Sequence, residues 1–279
     1  MTPPIHDSSN ANIAFIGGGN MASALIGGLR KRGLPASQIQ VIEPFAEQRA
    51  RLVSQFGVAV SEAPDADLQH ASLVVWAVKP QTFKDAALQS RAHMQGALHL
   101  SVAAGIRSDT IAGWLGTERV VRAMPNTPAL IGQGMTALFA RPAASAADRL
   151  EVEQVVETTG NFLWLEQETQ LDAVTALSGS GPAYVFYFIE AMVQAGTEMG
   201  LCPEQARQLA VGTFVGASAL AKEATEPLNV LRERVTSKGG TTHTALVSME
   251  QSGIKAAFVQ AIHAACQRAS DMGDEFGEK

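Results

Sequence analysis

Cysteine is almost missing: Cys202 and Cys266 are the only two in 279 residues. That count excludes a small disulfide-stapled secreted scaffold and leads us to expect reduced thiols in the cytoplasm. Basic charge is not in excess. The net charge is −6 and no Lys/Arg block occurs, which argues against a dedicated nucleic-acid binder. No uninterrupted apolar run is long enough to span a membrane. Residues 1–10 are polar and contain proline but no apolar stretch, so we expect a loose, disordered tail there and not a targeting signal. The six histidines are scattered, with no pair at metal-ligand spacing beside a carboxylate, so no metal site is expected. A G-x-S-x-G elbow and a paired-carboxylate signature are also missing. Internal repeats and low-complexity linkers are not found.

What remains is a globular composition, 46% hydrophobic and 17% charged, long enough for one large or two ordinary domains. The organising stretch is Ala14-Phe15-Ile16-Gly17-Gly18-Gly19-Asn20-Met21-Ala22. The apolar run 13–16 reads as a buried strand, and three glycines stop it. Met21, Leu25, Ile26 and Leu29 then recur at helical spacing, with Arg30, Lys31 and Arg32 in the last turn and Gly33 as the stop. Strand, glycine turn and helix form the first half of a dinucleotide-binding unit. Gly17 permits the tight turn, Gly19 lets a pyrophosphate approach the backbone, and Ala22 lets the helix lie close to the strand.

Further strands are predicted over 40–42, 58–60, 73–78, 97–102, 119–123, 135–140 and 162–165, with helices over 45–56 and about 146–157. The run 73–78 is continuously apolar, as in a parallel sheet buried on both faces. Ligands in such sheets sit at the carboxyl ends of strands. There the sequence places Glu43, Ala77-Val78-Lys79-Pro80, Ala103-Ala104-Gly105 and Met124-Pro125-Asn126-Thr127-Pro128. Glu43 stands near the place of an acidic residue that grips a ribose 2′-hydroxyl; a plain surface carboxylate is the alternative. Lys79 reads equally as a solvated turn residue.

From Leu171 onward no strand-like alternation is found. Residues 178–181 form a glycine-rich hinge. Residues 184–199 are apolar nearly all round, which predicts a buried helix. Small residues from Ala206 to Ala219 suit close helix packing. Helices are expected over 228–235, 243–251 and 255–272, the last followed by a polar tail. Between two of them lies Ser237-Lys238-Gly239-Gly240-Thr241-Thr242. Two glycines with a helix behind them and hydroxyls around them suit a small carboxylate; a helix–helix turn with a threonine cap is the alternative.

These motifs together resemble the pyrroline-5-carboxylate reductase family. The matching residues are 17–22, 77–81, 101–106, 124–128, 178–183 and 235–242 with Ala245-Leu246, and the resemblance covers nearly the whole chain after the tail. The change of character after Glu168 divides the chain into domains over 11–168 and 169–279. The resemblance implies an α/β fold in which the first is a Rossmann-type domain with a mostly parallel sheet and the second an all-helical domain that dimerises, often building a decamer. It implies reduction of L-1-pyrroline-5-carboxylate to L-proline with NADPH or NADH. Gly17, Gly18, Gly19, Asn20, Met21 and Ala22 would bind the pyrophosphate. Ala77, Val78, Lys79, Pro80, Ala103, Ala104 and Gly105 would line the nicotinamide side, and Asn126 is a further cofactor-binding candidate. Glu43 departs from the family, whose second strand commonly ends in small or basic residues, and is placed at the ribose by its position alone. Ser237, Gly239, Gly240, Thr241 and Thr242 would hold the substrate carboxylate, with Thr242 near the ring nitrogen. The alternatives are a β-hydroxyacid dehydrogenase, which would carry a catalytic lysine on its long apolar helix, and a non-catalytic nucleotide-binding protein on the same fold.

Overall fold

The computed structural model describes residues 12–94 and 96–277; the tail expected over 1–10 lies outside them. The described residues divide into two compact units, one running to residue 180 together with 265–277 and one of residues 181–264.

In the first unit the elements run β1 (Asn12–Ile16), α1 (Asn20–Lys31), β2 (Ile39–Ile42), α2 (Ala46–Phe56), β3 (Ala59–Ser61), β4 (Ala71–Trp76), α3 (Pro80–Ser90), β5 (Leu98–Ser101) and α4 (Ser108–Leu115). They continue with β6 (Val120–Met124), β7 (Gly134–Ala140), α5 (Ala146–Val156), β8 (Gly160–Trp164) and α6 (Gln170–Val174). One eight-stranded sheet has the order β3-β2-β1-β4-β5-β6-β7-β8. Every pair is parallel except β6 with β7. All eight strands match apolar runs in the sequence. The sequence pattern does not single out helices α3 and α4. Each places only two or three buried apolar residues on its inner face, Phe83 and Ala87 in α3, and Ile111, Ala112 and Leu115 in α4.

Alternation along the strands builds a core on both faces. Ile13, Phe15, Leu73 and Val75 pack with α1, α2 and α5 on one side. Ala14, Ile16, Val74 and Trp76 pack with α3 and α4 on the other. Full burial of each large side chain contributes about 1.5–3 kcal/mol, and Trp76 stacks on Phe83 with ring centroids 4.9 Å apart. Strand order reverses between β2-β1 and β1-β4, so the carboxyl ends of β2, β1, β4, β5 and β6 lie side by side. Such a switch point opens a crevice at that edge of the sheet.

The second unit holds α7 (Gly181–Glu198), α8 (Pro203–Glu223), α9 (Leu228–Arg234), α10 (Thr241–Gln251) and the start of α11 (Ile254–Gly277). Phe258 meets Tyr184 and Phe188 edge-on. A Cβ at Gly196 would stand 3.1 Å from the Ala206 Cβ, so α7 and α8 approach closely there. The expectation that 184–199 is a buried helix is corrected: within the single chain Phe186 is 60% and Tyr187 69% exposed. Among the described residues of this unit only Gly196, Ala206 and Ala210 are buried. Five helices alone do not enclose this much apolar surface.

A second correction concerns the end of α11. The helix continues through Gly273 to Gly277, where the sequence suggested a polar tail. Gly273 is a contact residue instead of a helix stop. A Cβ there would lie 2.5 Å from Nε of Arg107.

Candidate active site

The glycine turn opens directly from β1. Gly17 donates its N–H to the Ile42 carbonyl at 2.8 Å and has φ +94°. A Cβ there would stand 2.6 Å from the Ala77 carbonyl oxygen, so only glycine fits. Gly19 is the N-cap of α1, and no side chain caps the helix. A Cβ at Gly19 would meet nothing within 4 Å. Gly19 and Asn20 are exposed, Met21 is half-buried, and Ala22 is fully buried against the core. The first-turn N–H groups of α1 thus face open space, with the positive end of the helix dipole behind them. A pyrophosphate fits this cradle.

Glu43 follows β2 at the same edge of the sheet. It is 6% exposed. Its Oε2 accepts the Gly18 N–H at 2.8 Å and its Oε1 accepts the Phe45 N–H at 3.0 Å. Gln48 donates from Nε2 to the Gly18 carbonyl at 2.5 Å. No sequence motif points to Gln48; its only signal is a place one turn into the helix after Glu43.

Beside the glycine turn, Ala77 donates to the Ile16 carbonyl at 2.8 Å, joining the ends of β1 and β4. Ala77, Val78 and Pro80 are half-buried, and Lys79 is exposed. Lys79 is the N-cap of α3 and Pro80 its first residue, where proline's missing N–H costs nothing. After β5, Ala103 is buried, Ala104 half-buried and Gly105 buried with φ +76°. The Met272 Cβ of α11 stands 3.0 Å from where a Gly105 Cβ would be. The end of α11 thus backs the 103–105 loop, a long-range contact that no local pattern shows.

An ionic network lies next to that loop. Glu168 accepts from Ser108 N–H at 2.6 Å, from Ser108 Oγ at 2.6 Å and from Arg122 Nη1 at 2.7 Å. Arg107 pairs with Asp172 at 2.9 Å. Burial pushes the Glu168 carboxyl up, but the hydrogen bonds from Ser108 and Arg122 outweigh it and hold it below the usual carboxylate range. Burial pulls the Arg122 guanidinium down against the same partner.

Asn126, after β6, uses its side-chain amide within the fold. Its Oδ1 accepts the Met135 N–H at 2.9 Å, and its Nδ2 donates to Ser178 Oγ at 3.1 Å and to the Ser178 carbonyl at 3.3 Å. Ser178 lies in a π-helical turn, Thr175–Gly179, where the sequence reads as a glycine hinge. A Cβ at Gly179 would come within 2.4 Å of the Met124 methyl, so close packing explains that glycine. The structure therefore brings together, along one edge of one sheet, every nucleotide-side residue that the sequence suggested.

The other glycine turn belongs to the second unit. Gly239 has φ +75°. Gly240 donates to the Ser237 carbonyl at 3.0 Å, and a Cβ there would strike Ser237 Oγ at 2.5 Å. Gly240 is the N-cap of α10, again with no side-chain cap. The helix begins at Thr241, two residues before the expected start, because Gly240 in an extended conformation takes the cap position. The alternative of a threonine cap is not what the structure shows. Ser237, Thr241 and Thr242 are exposed, so hydroxyls and first-turn N–H groups face solvent together.

A cleft of about 550 Å³ lies elsewhere, lined by Arg91, Met94, His99 and Thr117 among others. It is at the amino ends of β5 and β6, away from the glycine turn.

Comparison with known proteins accords with this geometry. Residues 168–272 match the family model for pyrroline-5-carboxylate reductase dimerisation, and residues 12–105 match that for coenzyme F420-dependent NADP oxidoreductase. The chain is 44% identical to pyrroline-5-carboxylate reductase of Pseudomonas aeruginosa over 273 residues, 97% of this chain and 100% of the relative. It is similar to the structure of a pyrroline-5-carboxylate reductase from Coxiella burnetii, with TM-score 0.87, 34% identity and coverage of 94% and 98% of the two chains. It is also similar to the Plasmodium falciparum enzyme solved with NADP bound, with TM-score 0.85, 27% identity and coverage of 95% and 98%. On a full-length match at this identity, supported by the sheet order and the glycine turns, the chain belongs to the pyrroline-5-carboxylate reductase family.

Proposed function

We propose that this chain reduces L-1-pyrroline-5-carboxylate to L-proline with NADH or NADPH, in the cytoplasm. The observation that carries the reading is the pair of uncapped helix starts behind glycine turns, one at Gly19 and one at Gly240. The first suits a pyrophosphate and the second a small carboxylate. When bound, the reduced nicotinamide supplies a hydride to the C=N carbon of the substrate.

The protein's part is to bind and orient. The turn 17–22 holds the pyrophosphate, through the free amides at the start of α1, and 77–80 with 103–105 border the ring. Asn126 acts on this side by fixing the turn that carries Ser178. The N–H groups of Thr241 and Thr242, with the Ser237 hydroxyl and the turn at Gly239 and Gly240, take the substrate carboxylate. The Thr242 hydroxyl hydrogen-bonds the ring nitrogen. An iminium is far more electrophilic than a neutral imine, so protonation of the nitrogen precedes or accompanies hydride transfer. A threonine hydroxyl is too weak an acid to be the proton's source, so Thr242 acts as a hydrogen-bond partner of the nitrogen or as a relay to water. Alignment of two flat rings supplies most of the rate gain.

Nucleotide binding is assigned to 11–168. Substrate binding and dimerisation are assigned to 169–279, with a decamer built from dimers as the larger assembly. The exposed apolar side chains of α7 and α8 support the dimer. The test is a spectrophotometric assay of reduced-nicotinamide loss with the cyclic imine, with β-hydroxyacids in the reverse direction as control. Turnover of the imine with proline as product is expected. Turnover of β-hydroxyacids alone would favour the dehydrogenase reading, against which α7 carries no lysine. Cofactor binding with no turnover would leave a nucleotide-binding protein.

A further inference from the structure

We propose that Glu43 makes this chain select NADH over NADPH, an inference that rests on the reductase reading for the class of cofactor. The carboxylate is fixed before any ligand arrives. The Gly18 and Phe45 N–H groups hold one oxygen each, at 2.8 and 3.0 Å, and the Glu43 N–H donates to the Ser61 carbonyl at 2.9 Å. A carboxylate only accepts hydrogen bonds, and each oxygen has capacity for one more. A ribose 2′-hydroxyl can donate to it. A 2′-phosphate brings further negative charge against an anion that two N–H groups hold in place.

The nearest cations on α2 do not offset this. Arg49 directs Nη1 to the carbonyls of Glu43 and Pro44, at 2.9 and 2.7 Å, and Nη2 to Glu62 at 3.1 Å. Arg51 pairs with Glu47 at 2.7 Å. A 2′-phosphate would have to draw Arg49 away from two backbone carbonyls and a carboxylate. Next to the acceptor, Phe45 is 73% exposed, an apolar ring of the kind a purine covers. The Gly18 N–H is also taken by Glu43, so pyrophosphate binding relies on the amides of the α1 start.

The test is isothermal titration of the purified protein with NADH and with NADPH, without imine, for wild type, Glu43→Gln and Glu43→Ser. Wild type is expected to bind NADH tighter by about tenfold or more, the worth of one hydrogen bond to a charged acceptor. Glu43→Gln, which removes the charge, should narrow the ratio. Glu43→Ser, which also opens space, should bring it to unity or reverse it. A wild-type preference for NADPH, or a ratio unmoved in both variants, would overturn the proposal. If neither variant folds, wild type in a salt series decides. Screening should narrow the preference, and a ratio that stays constant or widens counts against Glu43. Because no imine is present, failure of the reductase reading leaves this measurement intact, and imine turnover leaves it open.

Discussion

The Trp76 indole N–H donates to Nδ1 of His99 at 3.1 Å, across neighbouring strands in the floor of the sheet. His99 therefore accepts on Nδ1 and carries its proton on Nε2. It is 2% exposed. Burial, with a smaller contribution from the Arg119 charge, lowers its pKa to about 4. Protonation would cost the indole its acceptor.

The consequence for stability has a definite sign. The unfolded chain takes up this proton near the ordinary histidine pKa, the folded chain only near 4. Between those values the unfolded state binds more protons, so stability falls as pH falls. The loss amounts to roughly 3 kcal/mol once pH has dropped through the folded value. Denaturant midpoints measured at pH 7 and down to pH 4 should show it. His99→Gln keeps an acceptor for Trp76 but does not titrate, so its pH slope should be shallower. An equal slope in both proteins would remove His99 as the cause.

Glu168 should matter more for folding than its sequence position suggests. Arg122, with its side chain 6% exposed, has Glu168 as its ion-pair partner at 2.7 Å. Glu168→Ala would leave that charge buried without its carboxylate, at a cost of about 3–5 kcal/mol. Glu168→Gln keeps an acceptor and should cost less. Thermal unfolding of the two variants tests the ranking, and an alanine variant as stable as wild type would contradict it.

On the proposed mechanism, Thr242 is the residue whose substitution separates binding from chemistry. It sits exposed in the first turn of α10, so Thr242→Val keeps the β-branch, the helix start and the N–H. Only the hydroxyl is lost. One hydrogen bond to the reacting nitrogen is worth on the order of 1 kcal/mol, or roughly tenfold in rate. The turnover number should fall by about that factor, with the Michaelis constant for the imine changed less and cofactor affinity intact. Unchanged turnover would exclude a chemical role, and a change in the Michaelis constant alone would make Thr242 a binding residue.

The apolar surface of α7 and α8 carries the last prediction. Phe186, Tyr187, Leu209, Val215 and Leu220 are all more than half exposed in the single chain. A two-fold interface covers such a surface economically. Sedimentation at micromolar concentration should give a dimer or larger, and Tyr187→Glu should weaken it. A folded, active monomer would count against the interface.

Sequence by itself determined the strands, the two glycine turns and most helices of this protein. The reason is local: an apolar run such as 73–78, a period of 3.6 in α1, or glycines ahead of a helical pattern, as at 17–19, are legible from near neighbours along the chain. The family was legible for the same reason, because its motifs are short turns built from consecutive residues. The tertiary structure decided what depends on distant partners. Nothing near His99 says that Trp76 lies beside it, and nothing near Glu43 says that Gly18, 25 positions earlier, donates to it. The reversed direction of β7 cannot be read from its residues, because alternation is the same in parallel and antiparallel neighbours. Gly273 read as an end, but Arg107 makes it a contact. Helix α7 read as buried, and the single chain leaves it exposed, because hydrophobicity states that a surface needs cover and not which chain provides it.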